Sequence, residues 1–329
     1  KQADAPALPG KRGANYYRPE REAEVLRNAI ARNEGPLPDE EVARLFREIM
    51  SACLALEAPL TIAFLGPEGT YTHAAVRKHF GHAVRPLPQS AIADVFRDVE
   101  ADNAHFGVVP IENSSEGIVS HTLDMFMQSS LHICGEIELR VHHQLLSKGK
   151  GMRAIKKIVS HQQSLAQCRA WLNANLPGVE WVPLSSNAEA ARYAKKHANV
   201  AAIASESAAE LYGLNILASN IEDNPNNTTR FLVIGKRQTR ATGEDKTTLL
   251  VSAHNRPGVL HDLLSAFARR QVSLSRIESR PSRQALWEYV FFLDIDGHAD
   301  EPRIREALDE LARDAAFLKL LGSYPKAVL

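Results

Sequence analysis

The chain has few cysteines and no net charge. Each of these features excludes some kinds of site or binding partner. Its 329 residues include three cysteines and no CxxC pair, so neither a disulfide framework nor a thiolate metal site is indicated. This usage fits a reducing cytoplasm, where we expect the protein. Lysine plus arginine equals aspartate plus glutamate at 39 each, so no global field favours nucleic acid or an acidic membrane. The expected partners are small molecules.

Several familiar motifs are also missing. No stretch approaches the roughly twenty apolar residues that cross a bilayer, and the N-terminus lacks a basic segment followed by an apolar run. Neither the phosphate loop nor the dinucleotide fingerprint occurs, which argues against nucleotide binding. A serine hydrolase is rejected, because no GxSxG elbow exists and the adjacent Ser160 and His161 cannot form its geometry.

Residues 1–58 have the pattern of a small helical domain. Apolar spacing predicts a helix over 18–31 with Pro19 at a first helical position, and Asp39 is suited to cap a second helix. The apolar stripe of the second helix is Val42, Leu45, Phe46, Ile49, Met50, Cys53 and Leu56. Two such helices need partners to bury their apolar faces, so we expect further helices or a homodimer or higher homo-oligomer.

Residues 59–238 alternate short apolar runs with helical stretches. The apolar runs are 61–65, 106–110, 155–160, 200–204 and 231–234, and the helical stretches are 72–80, 91–101, 165–174 and 187–196. Such alternation predicts an α/β domain with a mostly parallel sheet. Folds of this class build their sites at the carboxyl ends of strands.

Residues 246–329, after a polar break at 243–245, have a third pattern. Strands are predicted over 247–253, 273–279, 287–294 and 317–321, and helices over 259–269 and 302–313. The order βαββαβ is that of a ferredoxin-like domain. The chain is therefore predicted to be multidomain, although fold alone assigns no function.

Four polar stretches follow predicted strands or lead into them. Residues 66–72 form a glycine-bearing turn whose N–H groups suit an anion. Residues 110–117 contain Glu112, the best titratable candidate, and residues 160–164 again end a strand. Residues 224–231 offer a hydroxyl and a cation at a strand entry. Turns, helix caps or surface loops would also explain these stretches, and a serine cap is somewhat favoured at 160–164. Composition therefore leaves their roles open. The pair His142-His143 is interpreted as structural.

In this order, the four stretches resemble the signatures of the prephenate dehydratase family. GPxGTxS-like, PIEN, SHxQ and NNxTRF sequences appear at 66–72, 110–113, 160–163 and 226–231. The resemblance covers residues 60 to about 237. It implies two α/β lobes around a cleft, similar to periplasmic binding proteins. It also implies conversion of prephenate to phenylpyruvate, carbon dioxide and water in phenylalanine biosynthesis, without a cofactor.

The resemblance also implies the residues of the dehydratase site. Thr229 would be the central catalytic residue, hydrogen-bonding the leaving hydroxyl. The other implied catalytic residues are Glu112, Asn113, Ser160 and Gln167. Because a threonine hydroxyl is a poor acid alone, a partner acid is expected, with Glu112 as the first candidate. The implied substrate-binding residues are Gly66, Gly69, Thr70, Tyr71, Thr72, Ser114, Asn227, Thr228, Arg230 and Phe231.

The protein is expected to bind the two carboxylates of prephenate with different strength. The one that stays is expected on N–H groups of the 66–72 turn or near Arg230, with a structural ion pair as an equal alternative for Arg230. The one that leaves should be less well stabilised, because tight ground-state binding would oppose decarboxylation.

The C-terminal domain resembles the ACT regulatory module of the same enzymes. The resemblance rests on residues 255–260 and 277–281, and it implies phenylalanine as effector, bound at a subunit interface. The implied effector residues are Asn255, Pro257, Gly258, Val259, Leu260, Glu278, Ser279, Arg280 and Pro281. Residues 257–260 depart from the GAL sequence common in the family.

The N-terminal helices resemble the chorismate mutase domain of bifunctional chorismate mutase-prephenate dehydratases, which makes chorismate a second expected substrate. The implied mutase residues are Lys1, Arg21, Glu22, Cys53 and Glu57. Burial of Glu57 on its apolar face would let it donate a proton to the ether oxygen of chorismate. The long first helix is absent from the sequence, and Arg18 stands where the family has an acidic residue. Mutase activity is therefore expected to be impaired.

Two rival functions are weighed. One is arogenate dehydratase, which differs in tolerating an amino group where prephenate has a keto oxygen. The other is a non-catalytic two-lobed receptor fused to an amino-acid sensor, since the same fold class serves both. The absent secretion segment and the Thr-Arg-Phe motif argue against the receptor, whereas prephenate and arogenate stay unresolved.

Overall fold

A computed structural model describes residues 17–253, 256–281 and 289–328. Its helices are α1 (Pro19–Ala31), α2 (Asp39–Glu57), α3 (Tyr71–Phe80), α4 (Ile92–Glu100), α5 (Ser120–Gln128), α6 (Gln162–Gln167), α7 (Arg169–Asn175), α8 (Asn187–Ala194), α9 (Glu206–Tyr212), α10 (Val259–Ala268) and α11 (Pro302–Asp314). Its strands are β1 (Thr61–Leu65), β2 (Arg85–Gln89), β3 (Phe106–Asn113), β4 (Gly117–Ile118), β5 (His132–Arg140), β6 (Gln144–Ser147), β7 (Lys157–His161), β8 (Glu180–Leu184), β9 (Val200–Ala204), β10 (Asn215–Ala218), β11 (Thr228–Gly235), β12 (Asp245–Ser252), β13 (Leu274–Pro281), β14 (Tyr289–Asp296) and β15 (Phe317–Pro325). Lys1 and Asn255 lie outside the described residues.

The two N-terminal helices form where the sequence predicts them. Pro19 occupies the first turn of α1, where its missing N–H costs no hydrogen bond, and three acidic residues complement the dipole at the start of α2. Leu26 and Ala43 are buried. Much of the predicted stripe is nevertheless exposed, with Ile49 at 60% and Leu56 at 89% exposure. The expectation of a partner for this face stays a prediction.

Residues 59–238 form two lobes, each with its own sheet. The strand order is β2-β1-β3-β11-β5 in lobe 1, with β4 beside β3, and β10-β6-β9-β7-β8 in lobe 2. β1 pairs in parallel with β2 and β3, but β11 pairs antiparallel with β3 and β5. Lobe 2 is mixed in the same way. The prediction of a mostly parallel sheet is therefore wrong, because strands beside the lobe crossings run antiparallel.

The chain crosses between the lobes through residues 141–143 and 219–227, and these segments lie side by side. The N–H of Val141 donates to the carbonyl of Asn227 at 2.8 Å, and the N–H of Ile221 donates to that of His143 at 2.9 Å. The cleft between the lobes is therefore lined by both crossings as well as by strand ends.

The C-terminal domain has the predicted βαββαβ order, with an antiparallel sheet β13-β14-β12-β15. Its helices cover one face, and its other face packs on lobe 1. Leu250, Phe292 and Tyr324 share a core there with Ile133 of β5. The close approach requires glycine at 322, since a Cβ atom would overlap the backbone of Ile133. Lobe 1 thus has the cleft on one side and the C-terminal domain on the other.

Candidate active site

The cleft between the lobes encloses an open cavity of about 260 Å³. Lobe 1 contributes Tyr71, Asn113 and Thr229 to its lining, and lobe 2 contributes Gln167. The further polar or titratable residues of the lining are Glu116, His143, Gln163, Ser164, Asn187 and Asn227. Glu116 is the acidic residue of the described lining, which contains no lysine or arginine.

Thr229 is held beside Asn113 by the register of two neighbouring strands. The two residues face each other across β11 and β3. The Asn113 amide Nδ2 donates to Thr229 Oγ1 and to Asn227 Oδ1, at 2.8 Å each. Asn113 Oδ1 accepts from the N–H groups of Ser115 and Glu116, which fixes the orientation of the amide. Thr229 is thus an acceptor here, and within the described ranges its own proton has no protein acceptor.

A chain of hydrogen bonds continues from Asn227 to the far side of the cleft. Asn227 Nδ2 lies 3.3 Å and His143 Nε2 lies 2.8 Å from Gln167 Oε1. Because this oxygen can only accept, Nε2 carries the imidazole proton. His143 Nδ1 then accepts from the Tyr71 hydroxyl at 2.5 Å, and the carbonyl of His142 is a second acceptor 3.0 Å from the same hydroxyl. Burial lowers the pKa of His143 and raises that of Tyr71, so both are neutral near pH 7.

Gln167 also presents a free donor. Its Nε2 is buried and has no hydrogen-bond partner among the described residues. A buried donor without a partner is costly. Because Gln167 lines the cavity, a bound molecule with an acceptor atom would satisfy it.

Glu112 does not line the cavity, although it was the first candidate for the partner acid. Successive side chains of a strand face opposite sides, so Glu112 faces away from its neighbour Asn113. Its carboxylate lies 3.7 Å from Arg276 Nε of the C-terminal domain. The geometry therefore corrects the assignment of Glu112 as the acid.

Arg230 is likewise directed away from the cleft, for the same reason of strand alternation. Its guanidinium donates to Glu136 at 2.8 Å, to Asp294 at 2.6 Å and to the Tyr324 hydroxyl at 3.0 Å. Burial opposes its charge, but these partners more than offset burial and raise the Arg230 pKa. The structural ion pair, not substrate binding, is the alternative that the geometry supports.

Ser160 and Phe231 are also buried away from the cavity. The Ser160 hydroxyl donates to the carbonyl of Ile203 at 2.7 Å inside lobe 2, and Phe231 belongs to a hydrophobic core of lobe 1. Ser114 accepts from the N–H of Thr228 at 3.0 Å and so ties together the two loops that flank the cleft. In this structure the three side chains therefore lie outside the described lining of the cavity.

The 66–72 turn contributes only Tyr71 to the cavity lining. Thr70 caps α3, its hydroxyl accepting from the N–H of His73 at 3.3 Å. The N–H of Gly69, which was expected to bind an anion, donates instead to His73 Nδ1 at 3.0 Å. Gly69 has a φ of 87°, which suits glycine. The structure describes no carboxylate site formed by Gly66, Gly69, Thr70 and Thr72.

Three of the predicted mutase residues come together in a second cavity. Arg21, Glu22 and Cys53 line a space of about 270 Å³ between the helices and lobe 1. Burial raises the pKa of Glu22 to about 7, against the effect of Arg47 at 3.7 Å. Glu57 is exposed at the end of α2, so its expected burial is wrong for this chain alone.

The predicted effector residues lie at two places in the C-terminal domain. Gly258, with a φ of 80°, precedes α10, which begins with Val259 and Leu260. Glu278, Ser279, Arg280 and Pro281 end β13. Arg280 donates to Asp124 of lobe 1 at 2.9 Å, so it connects the domains. The effector site itself stays a prediction.

Sequence reasoning missed His143 and the lobe 2 residues Gln163, Ser164 and Asn187. His143 was interpreted as structural because the pair was placed within a strand. It lies instead in the crossing after β5, and the signal available was its position directly beyond a strand. Asn187 donates to Ser164 Oγ at 2.7 Å, a contact between segments too distant in sequence to be seen beforehand.

Three family models match successive parts of the chain. A chorismate mutase type II model matches residues 7–58, a prephenate dehydratase model matches 62–239, and an ACT domain model matches 247–313. Within the described residues, no helix is both long and apolar enough to cross a membrane.

Individual relatives agree with these models. A bifunctional chorismate mutase/prephenate dehydratase of Stutzerimonas stutzeri is 56% identical, covering 96% of this chain and 87% of the relative. A prephenate dehydratase from Arthrobacter aurescens, solved in complex with L-Phe, is 38% identical with a TM-score of 0.75, covering 82% of this chain and 93% of that one.

A third similar structure is described as GqqA, a novel type of quorum quenching acylase. It is 32% identical with a TM-score of 0.75, covering 81% of this chain and 98% of that one. The shared fold thus carries more than one described activity. The motifs, the three domain matches and the 56% identity together place this chain in the family of bifunctional chorismate mutase/prephenate dehydratases.

Proposed function

We propose that the cleft of this chain converts prephenate to phenylpyruvate, carbon dioxide and water, with Thr229 donating a proton to the leaving hydroxyl. Prephenate dehydratase activity is the activity of the family. The observation that carries the residue assignment is the Thr229 hydroxyl, which accepts from Asn113 and keeps its own proton for a ligand.

The reaction needs orientation and one proton. The electron pair of the bond to the leaving carboxylate moves into the ring as the hydroxyl departs with its bonding pair, and the ring becomes aromatic. Thr229 protonates the departing oxygen, so that it leaves as water. Because the cavity is open, a solvent molecule donates a proton to Thr229 in the same step, so that no threonine alkoxide forms. This solvent molecule takes the place of the partner acid that a weakly acidic threonine needs. Asn113 sets the direction of the hydroxyl, which is worth most when the geometry is fixed beforehand.

The lack of lysine and arginine in the described lining suits the loss of carbon dioxide. A cation beside the leaving carboxylate would stabilise the ground state and oppose decarboxylation. The described lining contains none, and the amides of Gln167 and Asn227 can hold the remaining polar groups of the substrate. Gln167 Nε2 gains the acceptor that it lacks in the free protein.

An acylase activity is not favoured by this cleft. Acyl transfer through a serine needs a base within hydrogen-bond reach of the hydroxyl. The Ser160 hydroxyl donates to the Ile203 carbonyl, and Ser164 Oγ accepts from Asn187. No histidine contacts either hydroxyl among the described residues.

Supplying prephenate and arogenate separately to the purified chain tests the proposal. We expect phenylpyruvate from prephenate, with a much smaller rate of phenylalanine formation from arogenate. Preference for arogenate would assign the chain to arogenate dehydratases. Failure to convert either compound would overturn the proposed chemistry, and ligand binding without turnover would favour the receptor.

The two flanking domains extend the proposal. We propose that phenylalanine binds the C-terminal domain and lowers dehydratase activity, that the N-terminal helices contribute a weakened chorismate mutase, and that the protein is a cytoplasmic homo-oligomer. The ACT match and the L-Phe complex of the Arthrobacter relative support the first part. Calorimetry with phenylalanine, a chorismate assay and light scattering test these parts separately.

A further inference from the structure

The strand pair that holds Thr229 has a second face with different chemistry. Across β3 and β11, Thr229 lies opposite Asn113, and Arg230 lies opposite Glu112. Because side chains alternate along a strand, the first pair faces the cleft and the second faces the C-terminal domain. Thr229 and Asn113 are the chain neighbours of Arg230 and Glu112. A movement of Arg230 or Glu112 along these strands therefore also moves Thr229 or Asn113.

Asp294 of β14 holds Arg230 from the C-terminal domain. Its Oδ2 lies 2.6 Å from Arg230 Nη1, and its Oδ1 accepts from the Thr248 hydroxyl at 2.7 Å. The Asp294 side chain is 1% and the Arg230 side chain 12% exposed. Lys246 of the same domain lies 2.8 Å from Glu136, the second partner of Arg230. The contact is thus a buried ionic cluster that joins two domains.

Asp294 remains ionised in this buried position. Burial would raise its pKa, but Arg230 and Arg276 hold the pKa below its ordinary value. A buried charge that loses one partner is left uncompensated. The cluster therefore resists separation of the domains and favours one arrangement of Arg230.

Arg276 of β13 is placed between the two domains but is less well satisfied. Its Nε lies 3.7 Å from Glu112 and its Nη1 lies 3.8 Å from Asp294. Nε and Nη2 are buried without a hydrogen-bond partner among the described residues. A small shift of β13 would bring this cation into hydrogen bonding with Glu112 or with Asp294. The structure thus has one tight and one loose ionic link to the same strand pair.

We propose that Asp294 and Arg276 are positioning residues for the dehydratase reaction, which act on Thr229 and Asn113 through the neighbouring Arg230 and Glu112. The inference rests on the proposed role of Thr229. It gives the C-terminal domain a direct mechanical route to the cleft, because β13 carries predicted effector residues immediately beyond Arg276. A shift of β13 changes the alignment of the Thr229 hydroxyl without a ligand in the cleft.

Asp294→Asn and Arg276→Gln in the full chain test this route. A misplacement of about 1 Å costs on the order of 100-fold in rate, so we expect kcat for prephenate to fall at least about tenfold, with KM within about twofold. Arg276→Lys, which keeps the charge, should restore part of the loss. Asp296→Asn is the matched control, because Asp296 lies on the same strand and pairs with Lys326 at 2.9 Å outside the cluster.

The kinetic pattern separates positioning from folding. Rates are measured well below the unfolding temperature of each variant, and a purely structural role would lower that temperature while leaving kcat of the folded protein unchanged. That outcome for Asp294→Asn, with Thr229→Ala inactive, overturns the inference alone. Should Asp294→Asn not fold, parental kcat in Arg276→Gln overturns it. Full activity of Thr229→Ala would overturn the proposed function and this inference together.

Discussion

The cleft and the helical N-terminal unit differ in how far their side chains find partners within the described chain. Polar groups of the cleft are hydrogen-bonded to one another, whereas many apolar side chains of the helices are uncovered. In the cleft, hydrogen bonds link Asn113, Asn227, Gln167 and His143. Among the described residues of the cleft, Gln167 Nε2 is buried without a hydrogen-bond acceptor. In the helical unit, apolar side chains such as Ile49 and Leu56 stand in solvent. The contrast teaches that changes in the cleft should affect rates, whereas changes in the helices should affect stability.

Asn113→Ala should produce the largest effect, and most of that effect should appear in the rate. The substitution removes the amide that orients Thr229 and Asn227. Loss of one oriented donor costs on the order of 100- to 1000-fold in kcat. Steady-state kinetics with prephenate measures it, and Asn103→Ala, at an exposed asparagine that donates to Asp98, is the control. Equal rates for the two variants would contradict the role of Asn113.

Leu26→Ala should affect stability and not rate. Leu26 is 2% exposed in α1, and emptying such a site costs roughly 3 kcal/mol of unfolding free energy. Ile49→Ala, on the face of α2 that is exposed in the single chain, should change it by less than about 0.5 kcal/mol in a monomer, and by more in an oligomer that covers this face. Denaturant titration compares them, while kcat in mild conditions should match the parent. Similar losses for both variants would mean that α2 is covered in solution.

Glu22 should make the helical unit sensitive to pH. Its pKa rises from 4.5 to about 7 on folding because of burial. Between these values the folded state holds a proton that the unfolded chain has released, so the unfolding free energy falls as pH rises, by at most about 3 kcal/mol.

Glu22→Gln should remove that fall, and Glu24→Gln, at an exposed neighbour, should keep it. The lowered pKa of His79, about 3, acts in the opposite sense, so the parent-minus-variant difference isolates Glu22. Denaturant titrations from pH 5 to 8 measure it, and parallel profiles for parent and Glu22→Gln would contradict the burial of this carboxyl.

Tyr71→Phe should have the smallest effect, and it should change both stability and rate. It leaves His143 Nδ1 without its donor, which costs about 1 kcal/mol in stability, and it removes a polar group from the cleft lining. We expect a several-fold fall in kcat. Tyr193→Phe, at an exposed tyrosine of α8, is the control, and a loss of activity as large as that of Asn113→Ala would assign Tyr71 a direct chemical role.

Local sequence patterns predicted most of the secondary structure. The strands at 61–65 and 200–204 agree with β1 and β9 residue for residue, and Pro19 and Asp39 mark the starts of α1 and α2. These elements depend on local spacing. The prediction that Asp39 caps α2 is wrong, because Asp39 is the first helical residue and Pro38 stands at the cap position without a side-chain hydrogen bond. The mixed sheets depend on where the chain crosses between lobes, and the packing of β15 on β5 depends on contacts distant in sequence. Neither is encoded in a short window.

The site was predicted in part. Tyr71, Asn113, Gln167, Asn227 and Thr229 were named from motifs and line one cavity. Glu112, Thr228 and Arg230 of the same motifs do not line it, because a motif identifies a stretch, whereas strand alternation decides which side chains face the cleft. The period of two, applied to β3 and β11, would have separated these neighbours from the sequence alone.

The most direct measurement is the rate of phenylpyruvate formation from prephenate by Thr229→Ala and Thr229→Ser. We expect the alanine variant to lose at least about 100-fold in kcat, whereas the serine variant, which keeps a hydroxyl beside Asn113, should retain a substantial part of the parental rate. An alanine variant as active as the serine variant would contradict the account, because the proton would then come from another group.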